Sequence, residues 1–232
     1  MLGLNKQNTD LLASPWIRIN PNIDWDHILA TSNVRVCKKG DVIINAGDSI
    51  ESLYFLKTGR IKTIAISSAG NQKIMWYIDH DCFFGETPFF NHKTCDYIFV
   101  ADTECEIYIF PREIVQKEIL PNHSDITLSI IETLARKVHI LSTQVEDFTF
   151  SKAIIRIAKV IYFLYEGYAL KEKKVPMKIP LTQEIIAEMV GIHRVTVNQV
   201  LKQFKSQQIL EEHSHLIIIK NLEKLKEIIY SS

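Results

Sequence analysis

Residues 180–205 read PLTQEIIAEMVGIHRVTVNQVLKQFK, and they hold the chain's densest set of side chains able to read the edge of a base pair. Thr182 can start a helix, because its hydroxyl accepts a hydrogen bond from an amide that the first turn leaves unpaired. The spacing predicts a helix to about Val190. Ile185, Ile186, Met189 and Val190 form its buried side, Ala187 allows a close approach, and Gly191 supplies the left-handed turn. In a second helix Val197, Val200, Leu201 and Phe204 make the buried stripe, which turns His193, Arg194, Val195, Asn198, Gln199 and Lys202 outward. An exposed face of this kind suits the major groove of DNA. Ordinary helical hairpins share part of this spacing. The continuation separates the two readings, since a short strand opening at Ile209 and Leu210 and another from Leu216 to Ile219 read as a β-hairpin wing.

Charge supports DNA contact by one end of the chain. The net charge over 232 residues is zero, yet residues 1–151 hold 14 Lys and Arg against 19 Asp and Glu, and residues 152–232 hold 13 against 8. The basic half, at +5, is the half that carries the helix pair. Hydrophobic content of 47% is enough for two modest cores, and no apolar run approaches the roughly 18 residues needed to cross a bilayer. A cytoplasmic protein without a membrane partner is expected. Cys37, Cys82, Cys95 and Cys105 are widely spaced and form no C-x-x-C pair, so buried reduced thiols are expected in place of a metal centre. His80 lies near Cys82, but Asp79-His80-Asp81 reads as a turn. No Walker-type loop, nucleophile elbow or metal-ligand motif is present, so the chain is not expected to be an enzyme or to need a cofactor.

The elements that must position the reading helix lie upstream. Short strands are predicted at Val34–Cys37, Val42–Ile44, Ser52–Leu56, Arg60–Ile66, Lys73–Tyr77 and Ile107–Phe110, punctuated by glycine and aspartate turns. This pattern predicts an antiparallel roll or barrel. A long helix is predicted from about His123 to Phe148, in which Ile131, Leu134, Val138, Leu141, Val145 and Phe148 recur at a mean spacing of about 3.5 residues. We read these six as a homodimer seam. The alternative is an amphipathic helix lying on its own domain. The fold class expected is α+β, with a β-roll sensor domain over 1–122, a long dimerisation helix over 123–150 and a winged helix-turn-helix domain over 151–232.

Taken together, Lys39-Gly40-Asp41-Val42-Ile43, Gly47, Leu53-Tyr54-Phe55, Gly59, Phe84-Gly85-Glu86 and Gly191-Ile192-His193-Arg194-Val195-Thr196-Val197 resemble the Crp/Fnr family of bacterial transcription regulators over nearly the whole chain. The resemblance implies a cyclic-nucleotide-binding-like roll, allosteric control by a small molecule, and RNA polymerase as a further candidate partner. From Ile192 to Leu201 the chain is most similar to the halorespiration regulators of that family, which respond to chlorinated aromatic compounds. That similarity implies an inverted repeat of the TTAAT type, read by His193, Arg194, Val195, Thr196, Asn198 and Gln199. Thr182, Gln183 and Lys202 are then expected on phosphate.

Departures from other branches narrow the effector. Where cyclic-AMP-binding members hold the phosphate with an Arg-Ser pair, this chain has Cys95 and Asp96, and a carboxylate there repels phosphate. Residues 1–36 contain no cysteine, which excludes the iron–sulfur oxygen sensor of other members. A pocket between the roll and the long helix is expected, lined by Trp76, Tyr77, Phe84, Gly85, Glu86, Tyr97 and Lys137. Aromatic walls and one ammonium suit a small aromatic anion. The resemblance places Lys137 where an ionised phenol would be stabilised, and it places Glu86 where the halorespiration regulators carry a second lysine. Competing readings are a constitutive DNA-binding protein, a family member that answers another small molecule or thiol redox state, and a regulatory subunit or enzyme whose roll holds a nucleotide.

Overall fold

The computed structural model describes residues 16–17, 25–169, 178–213 and 216–230. The chain divides into two compact units, the first ending at Leu141 and the second beginning at Ser142.

The first unit is a two-sheet β-roll. Its strands are β1 (Trp16–Ile17), β2 (Asn33–Cys37), β3 (Val42–Ile44), β4 (Ser52–Thr58), β5 (Arg60–Ile66), β6 (Gln72–Asp79), β7 (Cys82–Phe84), β8 (Ile98–Ala101) and β9 (Cys105–Pro111). One sheet runs β1-β6-β5-β8-β3 and the other β2-β9-β4-β7. Pairing is antiparallel except that β1 joins β6 in parallel, Trp16 opposite Tyr77. Alternation sends Leu53 and Phe55 of β4 and Ile61 of β5 wholly inside, where an aromatic cluster forms the core. Trp25 packs on Phe55 at 4.5 Å and on Phe83 at 5.7 Å, and Phe83 meets Phe110 at 6.0 Å. The turn from β4 to β5 needs Gly59, whose φ is +94° and whose Cβ, if present, would fall 2.2 Å from the Glu104 carbonyl oxygen. Four short helices accompany the sheets: α1 (Asp26–Leu29), α2 (Glu86–Asn91), α3 (Arg112–Ile114) and α4 (Leu120–Asn122), with one wide π turn at Val115–Ile119. The four cysteines are buried free thiols, and Asp81, after the Asp79-His80 step, takes φ +61° as the expected turn requires.

The long helix, α5, spans Ser124–Phe150 and crosses from the first unit into the second. It buries Ile126, Ser129, Ile130, Thr133, Lys137 and Ile140. The predicted seam is a different face: Ile131, Val138, Val145 and Phe148 are exposed and Leu134 and Leu141 half-buried. The helix therefore has two apolar stripes, one used within the chain. Phe148 departs somewhat from a free seam position, because the Arg156 guanidinium lies 4.9 Å from its ring centre.

In the second unit α6 (Ala153–Ala169) follows the break at Ser151–Lys152. A three-stranded antiparallel sheet, β10 (Lys178–Pro180), β12 (Leu216–Ile219) and β11 (Leu210–His213) in that order, frames α7 (Gln183–Val190) and α8 (Arg194–Ser206), and α9 (Leu222–Tyr230) closes the unit. Among the described residues, no helix is long and apolar enough to cross a membrane.

Candidate functional site

The helix pair forms as its local chemistry dictates. Thr182 caps α7, its hydroxyl accepting from the Ile185 amide at 3.2 Å. Gly191 takes φ +70°, and its amide and that of Ile192 both bond to the Ala187 carbonyl, at 2.8 and 3.1 Å. This ends α7 and turns the chain so that His193 caps the next helix in extended conformation. Helix α8 buries Val197, Val200, Leu201 and Phe204 and leaves His193, Arg194, Val195, Gln199 and Lys202 exposed, with Thr196 and Asn198 half-buried. Val195 is 68% exposed, an unusual position for a β-branched apolar side chain that has only its own fold to serve. One expected buried residue, Ile185, is only half-buried, since it sits beside the cap on the outer turn.

The wing is tied to this pair. Glu212 of β11 accepts from the Gln183 amide at 2.8 Å and from the Lys205 ammonium at 2.8 Å. Burial alone would raise the Glu212 carboxyl, but the bonds from Lys205 and Gln183 outweigh it and hold the group below the usual carboxylate range. Gln183, expected on phosphate, therefore has one amide hydrogen committed to the wing. Sequence reasoning does not find Glu212, because nothing in the local pattern says which wing residue faces the first turn of α7.

In the first unit, a small cavity is lined by Trp76, Gly85, Glu86, Thr87, Pro88, Asn91, Thr94, Cys95, Asp96, Tyr97, Phe99 and Lys137. Five of the seven expected effector residues are thus together. Tyr77 and Phe84 are not among them. Tyr77 is the neighbour of Trp76 along β6, so alternation sends it to the other face, and Phe84 is wholly buried, stacked on Tyr54 at 5.2 Å and on Phe99 at 5.7 Å. Phe99 takes the place expected of Phe84, and the signal for it lies in β8, a strand the sequence reading does not include. Trp76 and Tyr97 meet edge to face at 5.4 Å and 78°.

The charge of the cavity differs from expectation. Lys137 does not present a free ammonium; it is 4% exposed and ion-paired to the fully buried Glu86, with its nitrogen 5.2 Å from the Trp76 ring centre. Asp96 adds a second carboxylate to the lining. The cation expected to meet an anion is thus already matched by a carboxylate of the chain itself. The space is narrow, about 20 Å³, room for roughly one water, and it opens past the exposed Thr87, Asn91, Thr94 and Asp96. Among the described residues no cluster of His, Cys, Asp and Glu could hold a metal ion.

The model of the cyclic nucleotide-binding domain family matches residues 34–121, and that of the Crp-like helix-turn-helix domain matches residues 155–228. Among curated relatives, the cAMP-activated global transcriptional regulator CRP of Pasteurella multocida is 27% identical over 205 residues, covering 87% of this chain and 95% of its own. Among solved structures, the c-di-GMP responsive regulator CLP of Xanthomonas campestris superposes with a TM-score of 0.77 at 20% identity, over 83% of this chain and 95% of that one. CprK in complex with OCPA gives 0.68 at 26% identity, over 87% of this chain and 91% of that one. The two domains and their order define a DNA-binding transcription regulator with an effector-binding domain, not an enzyme. The chain belongs to the Crp/Fnr family.

Proposed function

We propose that this chain acts as a homodimer, binding an A·T-rich inverted repeat of the TTAAT type when a small aromatic effector, a halogenated phenol among the candidates, occupies the cavity beside Lys137. The observation that carries the reading is the outward face of α8, where His193, Arg194, Val195, Gln199 and Lys202 are exposed within the basic half of the chain. Arg194 can pair with guanine or phosphate, Asn198 and Gln199 with adenine, and Val195 with a thymine methyl. Thr182, Gln183 and Lys202 would hold phosphate. The exposed stripe Ile131, Val138 and Val145 supports pairing through α5, which would set two recognition helices about 34 Å apart.

The mechanism is a shift between two arrangements of the paired long helices, one of which the effector binds better. Lys137 links effector to helix, since it is buried on α5 and bonded to Glu86 of α2. Fluorescence-polarisation binding to a duplex with the inverted repeat, with and without halogenated phenols and other small aromatics, tests the reading. A sharp gain in affinity with one compound is expected. High affinity in the absence of any compound, unchanged by all of them, would leave a constitutive DNA-binding protein.

A further inference from the structure

Two buried polar atoms of the cavity have no partner among the described residues. One is Oε2 of Glu86, an acceptor on a fully buried side chain; the other is the indole N–H of Trp76, a donor on a side chain 4% exposed. Leaving such groups unmade is costly, about 1–3 kcal/mol each, and native interiors rarely do it without a reason. Both belong to residues that line the same space. The exposed lining residues, Thr87, Asn91, Thr94 and Asp96, carry one carboxylate and no cation.

On the reading of the chain as an effector-responsive regulator, we propose that this cavity selects its ligand by charge: it takes a small aromatic molecule that is neutral or cationic and donates an O–H or N–H to Oε2 of Glu86, and it refuses anions. Two carboxylates stand against one ammonium in the lining, and the ammonium is spent on Glu86. An anion finds no unpaired cation here, since the Lys137 ammonium is matched by Glu86, and it meets the like charge of Asp96 at the rim. A donor finds the unused carboxylate oxygen, the Trp76 N–H offers the return bond to a hydroxyl, and the rings of Trp76, Tyr97 and Phe99 supply faces and edges for an aromatic body or a cation. The space must widen to admit such a body, so binding carries with it a movement of residues in the lining.

Three ligands of similar size and different charge test this on the full-length protein: benzyl alcohol, benzylamine and phenylacetate, titrated by calorimetry, with DNA affinity read on the same samples. The alcohol or the amine is expected to bind at least tenfold more tightly than phenylacetate. The exposed Asp96→Asn variant should narrow that ratio several-fold by improving phenylacetate, and Glu86→Gln should weaken the amine at least tenfold if the variant folds. Binding by phenylacetate alone, binding by none of the three, or a ratio unchanged in Asp96→Asn overturns the proposal. Ligand binding that leaves DNA affinity unchanged sinks the regulatory reading while leaving the charge selection standing.

Discussion

Removing one partner of the Lys137–Glu86 pair leaves the other charged and buried, at a cost of about 3–5 kcal/mol, whereas replacing both by neutral groups of similar size is often close to neutral. Lys137→Met alone should therefore lower the melting temperature by roughly 10 °C, and Glu86→Gln added to it should recover more than half of that loss. Thermal melts of the four proteins check this; additive losses would show that the two groups are not coupled. A second residue-scale prediction concerns Val195. A glutamate there gains an acceptor for the cytosine amine, so Val195→Glu should move preference toward a G·C pair in each half-site by roughly 1–3 kcal/mol. An unchanged ranking across a library of binding sites would remove Val195 from the reading face.

Among the elements, α5 carries the clearest consequence, because its second stripe is water-exposed in the single chain. Val138→Glu puts a charge in the middle of that stripe, where a paired helix would place the same charge close by. Sedimentation should then show a dimer for the wild type and a monomer for the variant, with DNA affinity down at least tenfold; a variant dimer of undiminished affinity would move the interface elsewhere. How far such elements can be read from sequence depends on whether periodicity or tertiary contact defines them. Thr182, Gly191 and the α8 stripe are local chemistry and emerge as expected. Strands β7 and β10, of three residues each, carry no alternation to read, and β7 is buried on both faces; β3 is as short, but the glycine turns at Gly40 and Gly47 bracket it. Helix α9 offers Leu225 and Ile229 four apart, a legible spacing that the sequence reading does not include. The cavity was harder still. Trp76 and Tyr97 could be guessed by type, but Phe99 lies in a strand that is not predicted, and the Lys137–Glu86 pair joins residues 51 apart in sequence that no pattern announces.

At the scale of the whole molecule the charge is divided between the two parts of the chain, −5 before residue 152 and +5 from there on. DNA affinity should therefore fall steeply with salt, and Lys202→Ala should make the slope of log affinity against log salt shallower by about 1 while weakening all sequences alike. A loss confined to the preferred sequence would instead make Lys202 a base reader. The narrow cavity sets a second property of the whole. If the chain must open that space before a ligand enters, the apparent dissociation constant is the intrinsic one divided by the open fraction, so a pocket open about 1% of the time appears about 100-fold weaker than its contacts deserve. The strength of one buried ion pair would then fix the concentration at which the regulator responds. Sensitivity could be retuned over generations by neighbours that brace or loosen that pair, without altering a single atom that touches the DNA.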